Sequence, residues 1–221
     1  MPDDASGDQP SPRDEADANP WTQRFYNSGT QGFERVILFS DAVYAISLTL
    51  IAVQIVLPAL TGLNGADVGQ VISDSFSNIW AYAFAVVWVG LYWKANHRFT
   101  LTLRRMDDHY IWAVLVYLAF IALLPLPAAL IGEEWDPRAL AFFLVYMACV
   151  SLLEVLLMVI ALRDDLLVRQ ISSVEKRRWI LRALAPVAGA LIAAPLAFVT
   201  PYGGFLAVGA VVVISWGFAT L

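Results

Sequence analysis

The chain is short of the residues that most catalytic and metal chemistry requires. It has one cysteine, Cys149, and two histidines, His97 and His109. A single cysteine excludes an intrachain disulfide and a cysteine-based metal site. The two histidines are twelve residues apart, on different expected helices, without the cysteine or carboxylate spacing of a zinc site. There is no Gly-rich phosphate loop and no nucleophile paired with a base, so an enzyme and a bound cofactor are not expected. Charge is also scarce: 15% of residues are charged, against about 25% in soluble domains. Nothing in the charge pattern points to nucleic acid. The first residues lack the basic and apolar regions of a cleaved leader.

What the chain has instead is apolar length. It is 59% hydrophobic, with a mean hydropathy of +0.65. Residues 1–32 are polar and acidic, carrying Asp3, Asp4, Asp8, Asp14, Glu15 and Asp17. They are expected to form a disordered cytosolic tail, having too little apolar surface to bury. Continuous apolar runs follow at 34–58, 74–103, 109–131, 138–162, 178–199 and 203–220. Each approaches or exceeds the ~20 residues that cross a bilayer as a helix. They do not alternate as barrel strands do. The expected fold is therefore an all-α membrane protein with six transmembrane helices, its membrane domain spanning residues 33–221. Cys149, inside an apolar run, is expected to be a small packing residue.

Lys and Arg placement sets the expected orientation. Of the 14 such residues, all but Arg138 fall on one side when the six runs alternate. Both termini are then cytosolic. The basic cluster from Arg163 to Arg182 follows from the same rule, with anionic lipid binding as a second reading.

The first apolar run is the unusual one. Between Arg35 and Pro58 it carries Ser40, Asp41, Ser47, Thr49 and Gln54. Polar groups at membrane depth normally face protein or water. Asp41 lies roughly 9 Å along the axis from Arg35, at 1.5 Å per residue, and on another face. Its partner is expected on the second run, from Trp93, Asn96 or His97. That cluster reads either as a hydrogen-bonded helix pair or as a site. Further along, Phe39, Ile46 and Val53 repeat every seven residues, with Thr49 and Leu50 on the same side. Such a stripe serves ordinary packing, or, if several copies surround an axis, stacked apolar rings with one hydroxyl layer. Glu154 is expected to pair with Arg182, and Ala185, Gly189 and Ala193 to allow close helix approach.

Arg35-x-x-x-Phe39-Ser40-Asp41 resembles the signature of the endolysosomal transmembrane potassium channel family. The likeness continues through Asp41-Ala-Val-Tyr-Ala-Ile-Ser-Leu-Thr-Leu, Trp93, His97 and the Pro125/Pro127 pair. One copy of the motif with six runs resembles the prokaryotic members. The resemblance implies a homotetrameric potassium-permeable channel in a bacterial inner membrane, lined by the first helix. It implies that Ile46 is the narrowest ring, with Leu50 and Val53 above it and Thr49 contributing to selectivity. It implies an inner structural network of Arg35, Phe39, Ser40, Asp41, Trp93, Asn96 and His97. Its partners would be permeating potassium, the lipid bilayer and other copies of itself. Two positions depart from the family pattern: Asn96 stands where many relatives carry a second histidine, and Val53 where a leucine is common. The alternative is a secondary transporter, proton- or cation-coupled, using Asp41 and His97.

Overall fold

The computed structural model describes residues 25–61, 76–133, 136–169 and 171–199. It holds strand β1 (Phe25–Asn27), helix α1 (Gln31–Thr61), α2 (Phe76–Thr100), β2 (Arg105–Asp107), α3 (Asp108–Leu123), α4 (Pro125–Glu133), α5 (Pro137–Arg163) and α6 (Ser173–Leu196). Among the described residues, four segments are long and apolar enough to cross a membrane: Gln31–Val53, Asp108–Ile131, Pro137–Arg163 and Ser173–Leu196. The second expected run is the 25-residue helix α2. The sixth, 203–220, lies outside the described residues, as does the expected tail over 1–24.

Residues 25–32 correct the expected tail boundary. Phe25–Asn27 pairs antiparallel with Arg105–Asp107, Phe25 opposite Asp107 and Asn27 opposite Arg105. Two aromatics account for the difference. The Arg105 guanidinium lies 4.3 Å from the centre of the Phe25 ring, and Tyr26 packs against the hydrophobic core. Gly29, at φ 82°, turns the chain into α1 through a backbone region closed to most residues. Thr30 then bonds back to the Asn27 carbonyl through its hydroxyl at 2.6 Å.

The third run is not one helix. It breaks at Leu124 because Pro125 offers no N–H to the Ile121 carbonyl four residues back. Two other donors reach that carbonyl: the Leu124 N–H at 3.2 Å and the Ser47 hydroxyl of α1 at 2.9 Å. The break lets the short α4 pack against α1, α2 and α5. Helix starts are fixed by side chains that accept otherwise unpartnered N–H groups. Asp107 accepts from Tyr110, Asp136 from Arg138 and Ser172 from Glu175.

The bundle places α1 against α2, α3 and α4, and α5 against α3, α4 and α6. Its interior carries hydroxyls, and they are paired, as burial demands. Tyr44 and Tyr117 meet oxygen to oxygen at 2.6 Å. Tyr92 contacts Ser151 at 2.6 Å and donates to the Met147 carbonyl at 2.9 Å. Tyr146 donates to the Phe120 carbonyl at 2.7 Å. Ala185, Gly189 and Ala193 are buried along α6, whose principal neighbour is α5, as their spacing predicts. Two expectations fail. Glu154 forms no ion pair with Arg182, because Arg182 lies exposed on α6. Glu154 itself is half-buried on α5. Cys149 is exposed rather than packed inside, since no described residue covers its side of α5.

Candidate functional site

Helix α1 is amphipathic in reverse. Over the residues whose side chains are described, 31–53, its buried positions are Phe33, Ser40, Tyr44, Ser47 and Ile51, spaced by seven, four, three and four. Three of the five are polar. Each has a partner: Ser40 donates to the Val36 carbonyl at 2.8 Å, Tyr44 meets Tyr117 and Ser47 meets Ile121. A helix in an apolar solvent gains by turning its polar groups inward, where partners exist.

The opposite face is apolar and open. Phe39, Ile46, Leu50 and Val53 are exposed by 52%, 57%, 41% and 50%, and Thr49 is exposed beside them. The seven-residue stripe is thus a single surface of the subunit. Thr49 donates its proton to the Ile46 carbonyl at 2.8 Å. Its remaining lone pairs are left as acceptors on the open face.

At the other end of that face lies a polar cluster shared by α1 and α2. The Trp93 indole N–H donates to Asp41 Oδ1 at 2.8 Å. His97 stacks on Trp93, one turn away, with ring centres 5.3 Å apart and planes 18° from parallel. Of the three donors expected for Asp41, the indole is the one bonded. Asn96 binds elsewhere, accepting from the Thr100 hydroxyl at 3.0 Å. Ser40, Asp41, Asn96 and His97 together line a cavity of about 20 Å³, closed by Met106, Tyr110 and Val114. That is room for about one water molecule.

Two members of the expected network are placed apart from it. Phe39 is on the exposed stripe, one position from Ser40 and so turned about 100° around the helix. Arg35 is exposed and forms no ion pair among the described residues. No group of three or more His, Cys, Asp or Glu side chains that could hold a metal exists among the described residues. Sequence reasoning missed Tyr44, Tyr92, Tyr117 and Ser151. The available signal was Ser40, Tyr44 and Ser47 at helical spacing, opposite the apolar stripe.

Residues 35–125 match the family model described as endosomal/lysosomal potassium channel TMEM175. A curated relative from Chryseobacterium sp. (strain P1-3), named as a potassium channel, is 29% identical over 100 residues. That alignment covers 45% of this chain and 49% of the relative. A second, from Streptomyces collinus and named likewise, is 28% identical over 99 residues, covering 45% and 47%. The chain therefore spans about half the length of these relatives. The fold is similar to the crystal structure of a lysosomal potassium-selective channel TMEM175 homolog from Chamaesiphon minutus. The TM-score is 0.67 at 20% identity, over 86% of this chain and 98% of that one. The matched segment holds most of helix α1 and the Asp41–Trp93 bond, and over it the chain is similar to the TMEM175 family.

Proposed function

We propose that this chain is the subunit of a potassium-permeable channel, a homotetramer in which the open face of α1 lines a central conduit. The observation that carries this reading is the reversal of α1. Among the described residues, 22% of its membrane-length segment is buried, against 28% for Ser173–Leu196, 44% for Pro137–Arg163 and 50% for Asp108–Ile131. Lipid alone would accept the apolar stripe, but the stripe runs on into Asp41, Trp93, His97 and Arg35. Charged and polar groups are disfavoured against lipid and are accommodated in a water-filled vestibule. Copies of this face around an axis would stack Ile46, Leu50 and Val53 as apolar rings, with Ile46 the narrowest. Such rings resist wetting and so limit passage. The Thr49 oxygen, its proton already engaged, suits a partly dehydrated cation.

The relatives named as potassium channels and the matching family support the choice of ion. The same reading places a sixth helix over 203–220 and both termini in the cytosol of a bacterial inner membrane. A transporter using Asp41 and His97 has no specific observation behind it, because the indole of Trp93 is bonded to Asp41 and stacked on His97.

Reconstituted protein is expected to pass potassium down its gradient. Ile46→Asn should raise the flux and admit sodium, and Thr49→Ala should reduce the preference for potassium over sodium. The detergent-solubilised complex should weigh four subunits. Unchanged permeation in both variants, or a monomeric mass, contradicts the reading.

A further inference from the structure

A second cavity, lined by no residue of the α1 stripe, lies at the end of the bundle where basic residues concentrate. Its volume is about 240 Å³, many times what one water needs. It opens between the end of α5, the linker after it and the first turn of α6. Ala161, Leu167 and Ile171 lie beneath it, and Asp165, Arg169 and Lys176 on the rim give it a mostly polar lining.

The rim is built rather than incidental. Asp165 adopts a left-handed backbone at φ 52°, uncommon for a residue other than glycine. It is held there by backbone bonds on its next residue: the Leu166 N–H reaches the Ala161 carbonyl at 3.0 Å, and the Leu166 carbonyl accepts from Arg104 at 2.7 Å. Charge on the rim is unbalanced. Asp165 is offset by Arg104 at 3.7 Å, and Arg169 by Glu175 at 3.4 Å. All four of these side chains are more than a third exposed, so the pairs are weak and exchangeable. Lys176 has no ion pair among the described residues and is half-buried. The positive end of the α6 dipole faces the same region.

We propose that this cavity binds a phosphate-bearing anion, with Lys176 and Arg169 taking the phosphate oxygens. Arg169 exchanges Glu175 for the ligand. An anionic glycerophospholipid headgroup and a free phosphate share this chemistry. Basic pockets at the headgroup level between membrane helices bind such groups. The proposal is independent of whether the protein conducts ions.

The test uses the full-length protein in detergent with three probes: phosphatidylglycerol, phosphatidylcholine and inorganic phosphate. Native mass spectrometry counts retained lipid, and thermal unfolding reports phosphate binding. Wild type is expected to retain phosphatidylglycerol at least fivefold over phosphatidylcholine. The double variant Arg169→Gln, Lys176→Gln should bring that ratio within twofold of one. Arg178→Gln, exposed and outside the cavity, should keep the wild-type ratio. Ile171→Trp, which fills the space while keeping both cations, should lose it, which guards against a folding defect in the double variant. A melting shift with inorganic phosphate alone, abolished in the double variant, identifies a soluble phosphate as the occupant. Equal retention of the two lipids with no phosphate shift overturns the proposal. So does an Arg178→Gln loss as large as that of the double variant, which would reduce the effect to diffuse surface charge.

Discussion

Trp93 and Asp41 tie α1 to α2 through one charge-assisted hydrogen bond, and His97 braces the indole from its other side. Trp93→Phe keeps a ring for His97 to stack on but removes the donor. Asp41 is only half-buried, so water compensates in part. The expected loss is about 1 kcal/mol, read as a lower melting temperature in detergent. Tyr92→Phe should cost more, about 1–3 kcal/mol, because it strips partners from a fully enclosed pair on α5. Equal melting of wild type and Tyr92→Phe would contradict that ranking. At this scale the sequence was only partly legible. That Asp41 must look to another helix followed from the absence of a basic residue one turn away. Which of three donors it would take did not, since that depends on the rotation of α2, and every candidate there sits within four residues. Phe39 and Ser40 are adjacent in the motif yet serve opposite faces, which a motif read as one unit conceals.

The elements show how one missing N–H shapes the bundle. Pro125 breaks the third span, and the orphaned Ile121 carbonyl is taken by Ser47 of α1. This predicts coupling between the two residues. Ser47→Ala should cost about 0.6 kcal/mol, and at most about 1.7. In a Pro125→Ala background, where an alanine N–H can reach Ile121, the same change should cost less. A double-mutant cycle on unfolding measures the difference, and strict additivity would argue against the link. The apolar run itself was plain from composition, but its division into α3 and α4 was not. Prolines are tolerated inside membrane helices when neighbours satisfy the freed groups, so their presence alone does not say kink or break. The β1–β2 pair was hidden for another reason. Three residues of strand carry too little pattern to stand out from an acidic, Pro-rich flank. Its anchor is Tyr26, against which a Cβ on Gly32 would approach to 2.5 Å. Gly32→Val is therefore expected to displace Tyr26 and open the pair, seen as faster amide exchange at residues 25–27 and 105–107. Unchanged exchange there would mean the contact is not needed.

At the level of the whole molecule, the subunit keeps an apolar core but leaves many large apolar side chains on its surface. A few paired hydroxyls sit in that core, and α1 contributes Ser40, Tyr44 and Ser47 to the inside while its apolar stripe stays open. The two faces of α1 were legible early, because polar residues crowd the first span while the stripe at seven-residue spacing stays apolar. The number of copies around that stripe was not, since one chain's pattern fixes a face and not a symmetry. The central claim is that this face meets water and ions rather than lipid. Thiol accessibility tests it most directly. In a Cys149→Ala background, single cysteines are placed at Ile46, at Val53 and, as a lipid-facing control, at Val87 of α2, exposed by 59%. A small charged thiol reagent is added to liposomes passing potassium. Modification at 46 and 53 is expected to block the flux while the cysteine at 87 stays unreactive. Flux that persists after full labelling at 46 and 53, or reaction of those cysteines only with a lipid-soluble reagent, would contradict it.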